Sequence, residues 1–115
     1  MKTLKFRPVS LSQKYAVVER VRELSQWGNG LECLFRGEKC VISDSPYNAF
    51  QVKTCERYET VSQMQNSPLY LTCADKLGCE MKLICNEDDT VGFKAICTFD
   101  AFFYIFLDTC LPREV

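Results

Sequence analysis

Residues 79–99 read CEMKLICNEDDTVGFKAICTF, and this stretch decides the predicted fold class. At 79–85 and again at 91–99, apolar residues or cysteines alternate with other residues at the two-residue period of a β-strand. The polar residues 86–90 between the two segments are typical of a turn. A connection this short makes the two strands antiparallel, so the stretch predicts a β-hairpin.

Similar patterns extend the predicted sheet in both directions along the chain. Further strands are predicted at 31–35, 40–43, 69–73 and 101–109, whereas 50–52 and 58–61 are compatible with a strand or a short helix. No repeat or Pro/Gly/Ser-rich linker divides the chain. We therefore predict one domain over residues 1–115 that is mainly β. Its form is an antiparallel meander, small barrel or sandwich with zero to two short helices, with an α+β arrangement as a further option.

Residues 10–27 precede this sheet, and two interpretations of them compete. The segment begins with the spacing of a helix capping box, and Val17 and Val21 recur at a helical interval. The alternative is a long strand that turns at Asn29 and Gly30, a dipeptide that favours hairpins. We favour the helix.

The composition limits the chemistry of the chain. It has 115 residues, of which 47% are hydrophobic, and a net charge of −1. This composition suits one self-sufficient core, and it gives no basic field that would attract nucleic acid. The chain contains no histidine, so Ser–His or Cys–His nucleophile pairs and histidine-ligated zinc are excluded. We expect no catalytic residue, no cofactor and no metal ligand, and hence a protein that is not an enzyme.

Eight cysteines admit two interpretations. They lie at Cys33, Cys40, Cys55, Cys73, Cys79, Cys85, Cys97 and Cys110. None has the C-x-x-C or C-x-C spacing that favours a zinc site. Their even number in a short chain is typical of a disulfide framework. However, several fall on the apolar faces of predicted strands, where cysteine behaves as a small buried hydrophobe. We favour buried thiols.

The two cysteine interpretations imply different compartments. Paired cysteines favour an exported protein, whereas buried thiols fit the cytoplasm or nucleus. Residues 1–8 have no apolar run behind them, so we expect neither a signal peptide nor a membrane anchor. The longest apolar stretch, 101–107, is too short to span a bilayer. We favour an intracellular location, in the cytoplasm or nucleus.

The first candidate binding surface is aromatic. Residues 101–107 read AFFYIFL, which is apolar on both faces of a strand. Phe102, Tyr104 and Phe106 share one of these faces. Either the strand is buried on both sides, or one aromatic face stays exposed and binds a partner. Tyr104 is the foremost contact candidate, because its hydroxyl tolerates the rim of an interface.

The second candidate surface lies near the end of the segment 10–27. It combines Arg20 and Arg22 with Trp27, the only tryptophan of the chain. Tryptophan and arginine are enriched among residues that dominate binding energies. The competing interpretation is that Trp27 covers one end of the core.

Three function classes follow. We favour a non-catalytic protein–protein interaction module that uses an aromatic face or an exposed sheet edge, with another protein or a second copy of the chain as partner. The first alternative is a secreted, disulfide-stabilised receptor-binding or host-directed domain. The second alternative rests on the order of the predicted elements. A long first element, a hairpin through Gly37 and further strands resemble a small five-stranded oligonucleotide-binding barrel. That resemblance implies binding of single-stranded nucleic acid.

Overall fold

The computed structural model describes residues 11–46 and 49–98. Within this part of the chain, five strands form one antiparallel sheet with the order β1-β2-β3-β5-β4. The strands are β1 (Leu31–Phe35), β2 (Glu38–Ser45), β3 (Ala49–Thr54), β4 (Glu80–Cys85) and β5 (Val91–Thr98). The helices are α1 (Leu11–Gln26), α2 (Val61–Gln65) and α3 (Pro68–Leu71). The predicted mainly β class is confirmed, and the helices give it α+β character. The predicted strand 101–109 lies outside the described residues.

Two hairpins and one extension form the sheet. β1 and β2 meet through a two-residue turn in which Arg36 and Gly37 both have positive φ (48° and 84°). Such a turn matches the twist of the flanking strands. β3 continues this meander, whereas β4 and β5 form the hairpin predicted from residues 79–99. Because β5 pairs with β3, the chain between β3 and β4 must pass across β5 before β4 begins.

One face of the sheet, here called the covered face, carries the core. Alternate residues of the strands point to it, and many of them are fully buried, among them Ile42, Val52 and Phe93. Helix α1 covers it at β1 and β2 through Val17 and Val21, which are 3% and 0% exposed. The helix predicted within the segment 10–27 is therefore confirmed over Leu11–Gln26. Burial of its apolar stripe stabilises it more than its intrinsic propensity does.

The segment between β3 and β4 covers the other half of the same face. Thr60 caps α2, and Ser67 caps α3 by accepting a hydrogen bond from the Tyr70 amide at 3.2 Å. A π-helical turn follows at Thr72–Lys76, where the Leu77 amide donates to the Thr72 carbonyl. The prediction of a strand at 69–73 is wrong. Ser67 followed by proline is a strong helix start, and it prevails over the β-propensity of the residues after it.

A half-buried carboxylate joins this segment to the sheet. Glu38 accepts a hydrogen bond from the Tyr58 hydroxyl at 2.6 Å and another from the Leu69 amide at 2.8 Å. Tyr58 also forms an isolated β-bridge with Val91. Burial is the largest cause that raises the pKa of Tyr58 to about 12, and the hydrogen bond to Glu38 is the second. The network therefore holds β2, β5 and α3 together.

The opposite side of the sheet, here called the open face, has no helix packed on it within residues 11–46 and 49–98. Its side chains are mostly polar or charged and are partly buried or exposed, among them Ser43, Gln51, Lys53 and Lys94. None of the helices in the described ranges is both long and apolar enough to cross a lipid bilayer.

Candidate partner-binding groove

A groove of about 660 Å³ lies on the open face, between β2, β3 and the loop that follows α1. Strand residues Ser43, Gln51 and Lys53 line it, together with Asn29 of the loop. Its volume is in the range of ordinary ligand pockets. The lining offers hydroxyl, amide and ammonium groups, which suit polar contacts to a bound chain.

The wall of the groove depends on a glycine turn. Gly28 and Gly30 both have positive φ (80° and 71°), and their amides donate to carbonyls in the last turn of α1. At Gly30 an added Cβ would lie 2.7 Å from Val41 Cγ1 and 2.8 Å from the Ile42 carbonyl oxygen. Both the conformation and the lack of space therefore require glycine at position 30. The predicted hairpin dipeptide at 29–30 instead forms the link from helix to strand.

Trp27 directly precedes this turn and is 76% exposed. The interpretation of Trp27 as a cover for the core is therefore wrong. The amide of Trp27 donates to the Leu24 carbonyl, so the backbone at this position is fixed while the indole faces solvent. An indole held on an ordered backbone loses little conformational entropy when it binds, which is typical of anchor residues.

The structure brings Arg22 to the groove but gives Arg20 a different environment. Arg22 pairs with Asp44, which lines the groove, at 3.6 Å. The Asp44 amide in turn donates to the Ser25 hydroxyl oxygen at 3.0 Å. Arg20 forms an exposed pair with Glu23 along the helix at 3.3 Å. Phe102, Tyr104 and Phe106 lie outside the described residues.

A second exposed surface is the outer edge of β4. In the described part of the chain, no strand pairs with this edge. Leu83 is 53% exposed and Cys85 is exposed, although both point to the covered face. The expectation that Cys85 is a buried hydrophobe is therefore wrong, because the helices cover the sheet as far as β5 and leave the end of β4 uncovered. Lys82 lies in the middle of this strand, and a central lysine discourages strand addition.

The cysteines combine both sequence interpretations. Cys79 and Cys97 form a disulfide, whereas Cys73 is a buried free thiol. The sulfurs of these three residues lie within 4.8 Å of one another. Burial is the main factor that raises the pKa of Cys73 to about 12, so its thiol stays protonated. A soft metal ion would need all three as thiolates, which the disulfide and this pKa both oppose.

Cys55 lies two residues from Lys53, a cation that acts to lower the pKa of its thiol. Its pKa is raised instead, chiefly by burial and then by the charges of Cys40, Glu32 and Glu56, which outweigh the lowering effect of Lys53. A raised pKa reduces the thiolate fraction at neutral pH. Nothing in this environment activates Cys55 as a nucleophile.

No protein-family model, curated protein or solved structure matches this chain. Its function is therefore inferred from the geometry of the open face. Sequence patterns indicated Trp27 and Arg22 but missed Gln51, Ser43 and Lys53, because only the pairing of β2 with β3 places these residues beside the loop at Gly30.

Proposed function

We propose that this protein is a non-catalytic protein-interaction module and that its partner binds in the groove with Trp27 as anchor. The observation that carries the proposal is the 76% exposure of the single tryptophan, which directly precedes the loop Gly28–Gly30 that lines a groove of about 660 Å³. Tryptophan offers a large apolar contact area together with an N–H donor, and it is enriched among the residues that dominate binding energies.

The lining suggests what the partner presents. An extended segment with an apolar residue would pack on Trp27, and its backbone would find hydrogen-bonding groups on Ser43 and Gln51. A carboxylate in the same segment would pair with Lys53, which also lines the groove. The partner is therefore an extended polypeptide with one aromatic or aliphatic anchor and an acidic residue.

The groove is a better candidate than the β4 edge. Lys82 occupies the centre of that edge, and its charge opposes the approach of another strand. Binding of a partner or a second copy through this edge would also leave the exposure of Trp27 unexplained. We therefore assign the β4 edge no part in partner binding.

The test uses peptides selected from a displayed random library against the whole chain. Trp27→Ala should weaken the selected peptides at least tenfold, which is about 1.4 kcal/mol. The matched control is Tyr15→Ala, since Tyr15 is another exposed aromatic residue of the same segment, 58% exposed, at the other end of α1. Equal affinities of the Trp27→Ala variant and the unchanged chain would contradict the proposal.

A second candidate function is an exported, disulfide-stabilised binding domain, and the Cys79–Cys97 disulfide favours it. The exposed free thiols of Cys55 and Cys85 favour a reducing compartment, and with it the intracellular location that we propose. Alkylation of the protein in its native source, followed by peptide mapping, distinguishes the two. Alkylated Cys55 and Cys85 would support the intracellular proposal, whereas disulfides at these positions would support export.

A further inference from the structure

Three lysines form a straight row across the open face. The register places Lys82 of β4 directly opposite Lys94 of β5, and Lys94 directly opposite Lys53 of β3. Neighbouring strands lie about 4.8 Å apart, so the row spans roughly 10 Å between its outer backbone positions. Lys39 of β2 extends the basic surface. Its carbonyl accepts a hydrogen bond from the amide of Cys55, which lies two residues from Lys53, and this pairing places Lys39 close to Lys53.

This row is unfavourable for the isolated fold. Like charges directly opposite one another on a sheet destabilise it, and here two such pairs are adjacent. Among the residues that the structure describes, Lys82 forms an ion pair with Glu80 at 3.7 Å, and no ion pair joins Lys53 or Lys94 to a carboxylate. Lys94, in the middle of the row, is also only half-exposed.

The positive charge is local. The whole chain has 14 basic and 15 acidic residues, so its net charge of −1 does not require any basic surface. The lysines along this row therefore create a local positive electrostatic potential, which attracts a ligand with several negative charges in a row.

We propose that the lysine row binds the phosphate backbone of single-stranded nucleic acid. Lysine ammonium groups act as point charges on phosphates, whereas planar recognition of carboxylates favours arginine, which is absent from this row. A regular interval between charges suits a polymer with one phosphate per unit. In the described ranges, the strands contribute no aromatic side chain to the open face on which bases could stack beside the row, so binding is independent of sequence.

The test measures binding of a fluorescent oligothymidylate of about 20 nucleotides by anisotropy, from about 50 to 200 mM salt. Three phosphate contacts predict a slope of about −2 in a plot of log affinity against log salt. Lys94→Gln should reduce the steepness of this slope by about 0.7 and weaken binding at low salt. Lys82→Gln, at the exposed edge, should have the same effect and serves as a second variant. Lys76→Gln is the control, because Lys76 is exposed on the π-helical turn and lies outside the row.

Several outcomes would overturn the proposal. These are absence of oligonucleotide binding, a flat salt response, unchanged binding by both row variants, or tighter binding of a polyglutamate peptide, which would assign the row to an acidic protein. Trp27→Ala should leave oligonucleotide binding unchanged, so failure of this proposal and failure of the groove proposal are distinguishable. Circular dichroism at high salt checks that each variant is folded.

Discussion

The two faces of the sheet have opposite compositions although they come from the same strands. On the covered face, Ile42, Val52 and Phe93 pack against three helices and the π-helical turn and exclude water. On the open face, the residues between them are Ser43, Lys53 and their neighbours, and they remain partly exposed. The difference shows that the covered face accounts for the stability of the fold. The open face is free to carry binding groups, even where these reduce stability.

The largest expected effect comes from a comparison of one residue on each face of β5. Phe93→Ala removes a fully buried ring that packs edge-to-face on Tyr70 at 5.2 Å between centroids. It should reduce the free energy of unfolding by about 3–5 kcal/mol. Ile96→Ala on the open face should cost only about 1 kcal/mol, because that side chain is only partly buried. Urea unfolding of both variants measures the difference, and equal losses would show that the open face is also packed.

Two glycines sharpen the comparison, Gly30 in the wall of the groove and Gly37 in the turn between β1 and β2. Gly30→Ala should cost more than about 2 kcal/mol, since strain of the positive φ adds to the close contacts with Val41 and Ile42. Gly37→Ala is the matched control, because its φ is 84° but nothing lies within 4 Å of the added Cβ. Its cost should stay near 1–2 kcal/mol, roughly the penalty of the left-handed conformation alone. Thermal unfolding that ranks the two variants in the reverse order would contradict the described turn.

These features were predictable from sequence to different degrees. The strand at 31–35 and the hairpin from residues 79–99 could be predicted because alternation and turn residues are local properties. Helix α1 was recognisable from the spacing of Val17 and Val21. The strand predicted at 69–73 is a helix and a π-helical turn instead, because the helix start at Ser67 and Pro68 outweighs the β-propensity of the residues that follow.

The candidate site was less predictable. Trp27 and Arg22 were indicated by residue type, but the groove and the row of Lys53, Lys82 and Lys94 depend on strand order. Because β5 inserts between β3 and β4, the lysines of three separate segments become neighbours. No local sequence pattern contains that pairing. The overall composition, with a net charge of −1, also gives no sign of a local basic surface.

A smaller effect on stability is expected from the hydrogen bond between Tyr58 and Glu38, which links the sheet to the segment between β3 and β4. Tyr58→Phe leaves one oxygen of Glu38 without its hydroxyl donor and should cost about 1–3 kcal/mol. The folded pKa of Tyr58 is about 12, above the ordinary value of about 10, so folding favours the protonated phenol. Its contribution is complete below pH 10 and is lost as the pH rises toward 12. Denaturant titrations at alkaline pH should show this loss in the unchanged chain and its absence in Tyr58→Phe. A loss of equal size in both would exclude Tyr58 as its source.

The smallest expected effect comes from the open face alone. Lys94→Gln removes both cross-strand repulsions of the row and should raise the free energy of unfolding by about 0.2–1 kcal/mol at low salt. At about 1 M salt the gain should vanish, because charges are screened within about 3 Å. Melting temperatures at the two salt concentrations test this, with Lys76→Gln as the control that changes little at either. A destabilised Lys94→Gln variant would show that Lys94 has a structural partner.

Mass-spectrometric footprinting of the whole chain, with and without a selected peptide, tests the central claim most directly. The claim is that the groove beside Trp27 is where the partner binds, so the bound peptide should protect Trp27 from oxidation and Lys53 from acylation. Tyr15 and Leu83, exposed on surfaces away from the groove, should react equally in both states. Protection of Leu83 with no change at Trp27 would instead place the partner on the β4 edge and contradict the account.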